Sequence, residues 1–141
     1  MTTKVALSYK FTGVSLEELS DTVWALTTCI RDRALGVFSS LELESFFQEN
    51  KMNSNEIYEY CLDEFKSCNV VLAFINHEQP STGMQKEMEL AQKEGKKFYL
   101  IIRRNLGFYE FREIASQDRV FEFDDISEIP SIIKTINFLE D

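Results

Sequence analysis

The segment Asn69–Ile75, NVVLAFI, is apolar at almost every position. A strand that faces solvent on one side alternates apolar and polar residues. An uninterrupted apolar run of this length, rich in β-branched residues, has to be covered on both faces. Covering both faces of a sheet takes helices, so this run commits the chain to a parallel sheet between two helical layers. Lys97–Ile102 (KFYLII) repeats the pattern, and Lys4–Tyr9 (KVALSY) opens the chain with a shorter version of it.

Helical signals fall between the strands. Ser15 and Glu18 form an S-x-x-E capping box, which starts a helix from Leu16 to about Ala34 with Leu19, Val23, Leu26, Thr27 and Ile30 on its apolar face. Gly36 ends it, and Val37–Ser39 reads as a second strand. Glu42–Gln48 has the composition of a short helix. Asn53 or Ser54 caps a clearer one, with Ile57, Cys61, Leu62, Phe65 and Cys68 at helical spacing. After the apolar strand comes a polar loop, Asn76–Gly83, and then a helix over Thr82–Glu94 stopped by Gly95. The spacing further predicts a weak helix around Glu110–Ala115, a strand over Val120–Phe123, and a last helix from Pro130 to Leu139. Strand and helix alternate throughout, without repeat or linker. The expected fold is one α/β domain over residues 1–141: a flavodoxin-like, doubly wound, five-stranded parallel sheet of order 2-1-3-4-5.

Composition narrows the partners. With 15 Lys+Arg against 24 Asp+Glu the formal charge is −9, the wrong sign for a nucleic-acid polymer or an anionic membrane surface. The N-terminus lacks the basic and apolar regions of a signal peptide, and no apolar run is long enough to span a bilayer. The three cysteines, Cys29, Cys61 and Cys68, have no tight spacing, which fits a reducing, cytoplasmic setting. One histidine and no C-x-x-C pair leave no metal site.

In such a sheet ligands bind beyond the carboxyl ends of the strands, where the strand order reverses. The loop after the first strand, Ser8-Tyr9-Lys10-Phe11-Thr12-Gly13, should there face Asn76–Gly83. Neither G-x-G-x-x-G nor G-x-x-x-x-G-K-[ST] occurs, so dinucleotide and P-loop readings fail. Met84, Met88 and Ala91 make the apolar stripe of the helix that begins at Thr82. Glu87 lies about 60° from its centre on a helical wheel, in the early turns, near the crevice and the positive helix end. By pattern alone it could equally be a solvated acid. Ser81 before Gly83 is an N-cap that could also hold an oxyanion. Lys10, Arg103 and Arg104 fall at strand ends, where they could meet an anion.

The segment Val70–Ala91, VVLAFINHEQPSTGMQKEMELA, resembles the core of the nucleoside 2-deoxyribosyltransferase family: a buried strand, a polar loop, then S/D-x-G-x-x-x-E-x-x-x-A, read here as Ser81, Gly83, Glu87 and Ala91. Gly95-Lys96-Lys97 and the opening KVALSYKFTG are also similar. The resemblance implies cleavage or transfer of the N-glycosidic bond of a 2′-deoxynucleoside or its 5′-monophosphate without a cofactor. It implies Glu87 as the catalytic nucleophile and a substrate site around Ser8, Tyr9, Lys10, Phe11, Ser81 and Gly83. Serine at position 81 matches the branch that hydrolyses monophosphates; the transferases usually carry Asp there. The resemblance also implies a homo-oligomer, commonly a dimer. Phe46, Phe47, Phe108, Tyr109 and Phe111 could furnish its interface or belong to the core. Cys61 stands where the family usually has Asp, Gln85 where it often has a second glycine, Asn69 where it has Asp, and Ala6 where it has an aromatic. Two alternatives follow: a nucleotide-sensing module with a degenerate site, and a TIR-like domain that cleaves NAD or acts as a scaffold, suggested by Ser8-Tyr9 ending the first strand.

Overall fold

The structure is a computed structural model that describes residues 3–11, 13–33 and 35–139. Five strands form one parallel sheet: β1 (Lys4–Tyr9), β2 (Gly36–Phe38), β3 (Val70–Ile75), β4 (Lys97–Arg103) and β5 (Val120–Phe123). Their order is β2-β1-β3-β4-β5, as expected from the sequence. Val5–Tyr9 pairs with Val70–Phe74, and Val70–Ile75 with Lys97–Ile102. β3 is buried at every position.

Side chains alternate across the sheet. On one face Val5, Leu7, Leu72, Ile101 and Phe123 meet α1 (Leu16–Arg31) and α6 (Ile129–Thr135) through Leu26, Ile30 and Ile133. On the other, Ala6, Val71, Ala73, Leu100 and Ile102 meet α3 (Ser54–Ser67), α4 (Thr82–Lys93) and α5 (Tyr109–Ala115) through Phe65, Met88, Ala91 and Phe111. The short α2 (Glu44–Glu49) follows a 3-10 turn at Ser40–Leu43 and sets Phe46 and Phe47 against Tyr60.

The helix boundaries have local causes. Ser15 accepts from the Glu18 amide, and α1 closes at Asp32; the expected end at Ala34 lies outside the described residues. Asn53, not Ser54, caps α3, in a reciprocal capping box with Glu56. The last helix is a correction. It was expected to reach Leu139, but α6 stops at Thr135. Ile136 and Phe138 are both buried beyond it. Two residues spaced by two share one side of an extended chain but not of a helix, so burying both ends the helix. Among the described residues no helix is long and apolar enough to cross a membrane.

Candidate active site

The site is built where α4 crosses β1. Position 8 has the same parity as Ala6 and therefore points toward α4. Ala6 and Ala73, the latter opposite Ser8 on β3, are small and fully buried, which lets α4 come close to the sheet. Met84, Met88 and Ala91 bury the apolar stripe of α4. Glu87, just before Met88, is turned toward β1, where the Ser8 hydroxyl donates to its Oε1 at 2.9 Å. Ser8 is buried and Glu87 half-buried. Loss of water around the carboxylate raises its pKa to about 7, although the Ser8 hydrogen bond acts in the opposite direction.

Glu87 opens onto a cleft of about 540 Å³ between α3 and α4. Its apolar walls are Tyr58, Cys61, Leu62, Phe65 and Leu90, and Gly83 also lines it. Of the apolar residues expected on one face of α3, only Phe65 and Cys68 are buried, whereas Ile57, Cys61 and Leu62 are half-covered. The α3 face is thus shared between the core and the cleft. Burial, and then the Glu87 charge, push the Cys61 thiol above its ordinary pKa, which keeps it a neutral partner for the acid.

Ser81 caps α4 and accepts from the Met84 amide at 3.3 Å. A side chain placed at Gly83 would meet only the Ser81 hydroxyl, at 3.9 Å. No protein group therefore requires glycine there for space, and its bareness leaves the helix start open to a ligand. Gly83 and Glu87, one turn apart on α4, both line the cleft, whereas Ser81 caps the helix and is not among the residues lining it.

The expected residues of the first loop are used differently. Tyr9 points to the opposite side of the sheet from Ser8. Its hydroxyl is within hydrogen-bonding distance of Ser39 (3.0 Å) and Ser40 (3.3 Å) and accepts from the Leu41 amide. It thereby anchors the turn after β2, and burial raises its pKa. Phe11 is exposed. The crevice between β1 and β3 is nearly filled, with about 20 Å³ left beside Tyr9, Lys10, Asn76 and His77. Glu18 of α1 reaches into it and pairs with His77 Nε2 at 2.5 Å. Asn76 is held by Arg103 Nε at 2.8 Å.

Of the three cations expected at the strand ends, two are engaged. Arg103 donates to Asn76 and to the Asp124 carbonyl, and lies over the Phe123 ring. Arg104 pairs with Asp124 and Glu122. Lys10 makes no ion pair among the described residues. Also among the described residues, no three His, Cys, Asp or Glu side chains gather as metal ligands. Sequence reasoning missed the contribution of α3 as a cleft wall. Its apolar residues fall on one face, as in any helix packed on a core, so periodicity carried no signal that the face is shared.

Solved structures resemble this chain over almost its full described length. The CMP N-glycosidase BcmB of Clostridium botulinum aligns with a TM-score of 0.69 at 18% identity, covering 93% of this chain and 97% of that one. A 2-deoxyribosyltransferase of Bacillus psychrosaccharolyticus aligns with a TM-score of 0.60 at 19% identity, covering 96% and 93%. The chain has the nucleoside 2-deoxyribosyltransferase-like fold. A conserved protein of Enterococcus faecalis V583 has it too, with a TM-score of 0.66 at 11% identity, covering 95% of this chain and 98% of that one. No family model matches the sequence, and no curated protein does. At 11–19% identity the likeness is one of three-dimensional form.

Proposed function

We propose that this chain, acting as one domain, belongs to the nucleoside 2-deoxyribosyltransferase family. In this reading it cleaves or transfers the N-glycosidic bond of a 2′-deoxynucleoside or its 5′-monophosphate. The observation that carries the reading is Glu87: a half-buried carboxylate, tethered through one oxygen and facing a mostly apolar cleft. Glu87 attacks C1′ of the sugar. The bond to the base breaks, its electron pair leaves on the base nitrogen, and a glycosyl ester forms on the carboxylate. Water or a second base then attacks C1′ and releases Glu87. The transition state is oxocarbenium-like, so a carboxylate in a water-poor site stabilises the developing positive charge strongly.

The neighbours named for N-glycosidase and deoxyribosyltransferase activities support this choice of reaction. Ser81 and the open backbone at Gly83 suit the substrate phosphate, with an anion at a helix start favoured by unpaired amides. Lys10, free of ion pairs among the described residues, is suited to add positive charge at the carboxyl ends of the strands. Phe11, exposed on the same loop, offers a face for a base or sugar. Ser8 and Tyr9 frame the site through the protein contacts described above.

The deciding experiment incubates purified protein with nucleosides, 2′-deoxynucleosides, their 5′-monophosphates and NAD, and separates free base by chromatography. Release from a deoxynucleoside or its monophosphate, lost in Glu87→Ala, is the expected result. No release at high protein concentration overturns the reading. One observation favours a second reading, a nucleotide-binding module: the residue across the cleft from Glu87 is the thiol of Cys61, not a second acid. Calorimetric binding of a monophosphate without base release would select it.

A further inference from the structure

We infer that Ser8 is a positioning residue for Glu87: by donating to Oε1 it commits Oε2 to the cleft as the one oxygen that reacts. The Ser8 hydroxyl carries a single hydrogen, and the group is 2% exposed on a strand paired on both sides. The acceptor it faces is Glu87 Oε1, at 2.9 Å. Among the described residues the Glu87 carboxylate makes no other hydrogen bond. No buried side-chain nitrogen or oxygen among them lacks a partner. Oε2, which has no protein partner, is therefore not buried, and the space that Glu87 lines is the cleft between α3 and α4.

The same geometry locates the proton. With the Ser8 hydrogen already on Oε1, a protonated Glu87 carries its own hydrogen on Oε2. One oxygen thus alternates between nucleophile, when bare, and acid, when protonated. Only the bare form attacks C1′.

The groups that share this environment offer no competing anchor. Tyr9 on β1 and Cys61 on α3 are neutral and feel the Glu87 charge. Tyr58 of α3 and Lys86 and Glu89 of α4 line the same cleft, with Lys66 and Lys93 further along it. None of them bonds to the carboxylate. The Ser8 hydroxyl is the group that offsets burial and keeps part of the population ionised near neutral pH.

The step at C1′ rests on the proposed reaction, so the test has an arm that needs no substrate. Titrating the Glu87 carboxyl carbon by NMR in labelled protein reads its midpoint directly. Ser8→Ala is expected to raise that midpoint by about one to two pH units, the worth of a hydrogen bond to a charged group. Ser8→Thr, which keeps the hydroxyl, is expected to hold it near the wild-type value. Should Ser8→Ala fail to fold, Ser8→Cys, of similar size but a weak donor, is expected to raise it as well. An unchanged midpoint in folded Ser8→Ala or Ser8→Cys overturns the inference. In the second arm the acidic limb of the pH–rate profile for base release should move by the same amount. If wild-type protein releases no base, the proposed reaction fails while the titration still decides the role of Ser8.

Discussion

At the scale of single residues, Glu87 carries a cost that pH controls. Its folded pKa of about 7 lies above the ordinary 4.5 of a glutamate. Between these values the folded state binds more protons than the unfolded state, so stability falls as pH rises from about 4.5 to about 7 and is level beyond. Glu87→Gln removes that penalty. It should leave the protein more stable than wild type at pH 8, by on the order of 2–3 kcal/mol, with the difference vanishing near pH 4.5. Denaturant melts at the two pH values check this, and a constant difference would contradict it. The same substitution should abolish base release, separating stability from function at one position. Ser81→Ala tests a neighbouring role. Loss of the cap should cost about 1 kcal/mol. Affinity for a 5′-monophosphate should fall by more than affinity for the parent nucleoside, as calorimetry on both ligands would measure.

At the scale of elements, the site depends on how closely α4 approaches the sheet. Ala6, Ala73 and Ala91, all 0% exposed, set that approach. Met88, also 0% exposed, holds the helix down one residue from Glu87. Met88→Ala should cost about 2–5 kcal/mol through the cavity it leaves, read as a lower melting temperature. Activity at a temperature where the variant stays folded should drop as well, because α4 carries the carboxylate. Helix starts were largely legible in the sequence, since Ser15, Asn53 and Ser81 each cap through their own side chains. The end of α6 was not. Periodicity places Ile132, Ile133 and Ile136 on one helical face, yet the pull of the core on both Ile136 and Phe138 depends on what α1 and β4 present there. Phe138 packs edge-on to Tyr99 of β4, and Arg33 lies over its ring.

At the scale of the whole molecule, the formal charge of −9 should keep a long phosphate chain away. Fluorescence anisotropy with labelled single-stranded DNA at physiological salt should show no binding, while a single phosphate at the start of α4 remains compatible with that sign. The aromatics proposed for a dimer divide in the fold. Phe47 and Phe111 are buried, whereas Tyr109 is 82% and Phe46 39% exposed. A homodimer would draw on the exposed pair, and light scattering that returns a monomer at assay concentration would remove that proposal.

The sequence alone determined the parallel sheet and the helix that carries Glu87; the strand order was expected as the common one for such a sheet. The sheet and that helix follow from local signals: uninterrupted apolar runs, capping side chains, and the alternation of strand with helix. Which loop faces which could also be argued from the topology. Tertiary structure decided the rest. It nearly closed the β1–β3 crevice with Glu18 and His77, engaged Arg103 and Arg104 with neighbouring side chains and carbonyls, and left a cleft between α3 and α4 beside Glu87. It also set the Ser8 hydroxyl against the Glu87 carboxylate. Those outcomes depend on distances between residues far apart in the chain, such as positions 8 and 87. No periodicity or spacing encodes such a distance, because it is set by how closely packed layers meet.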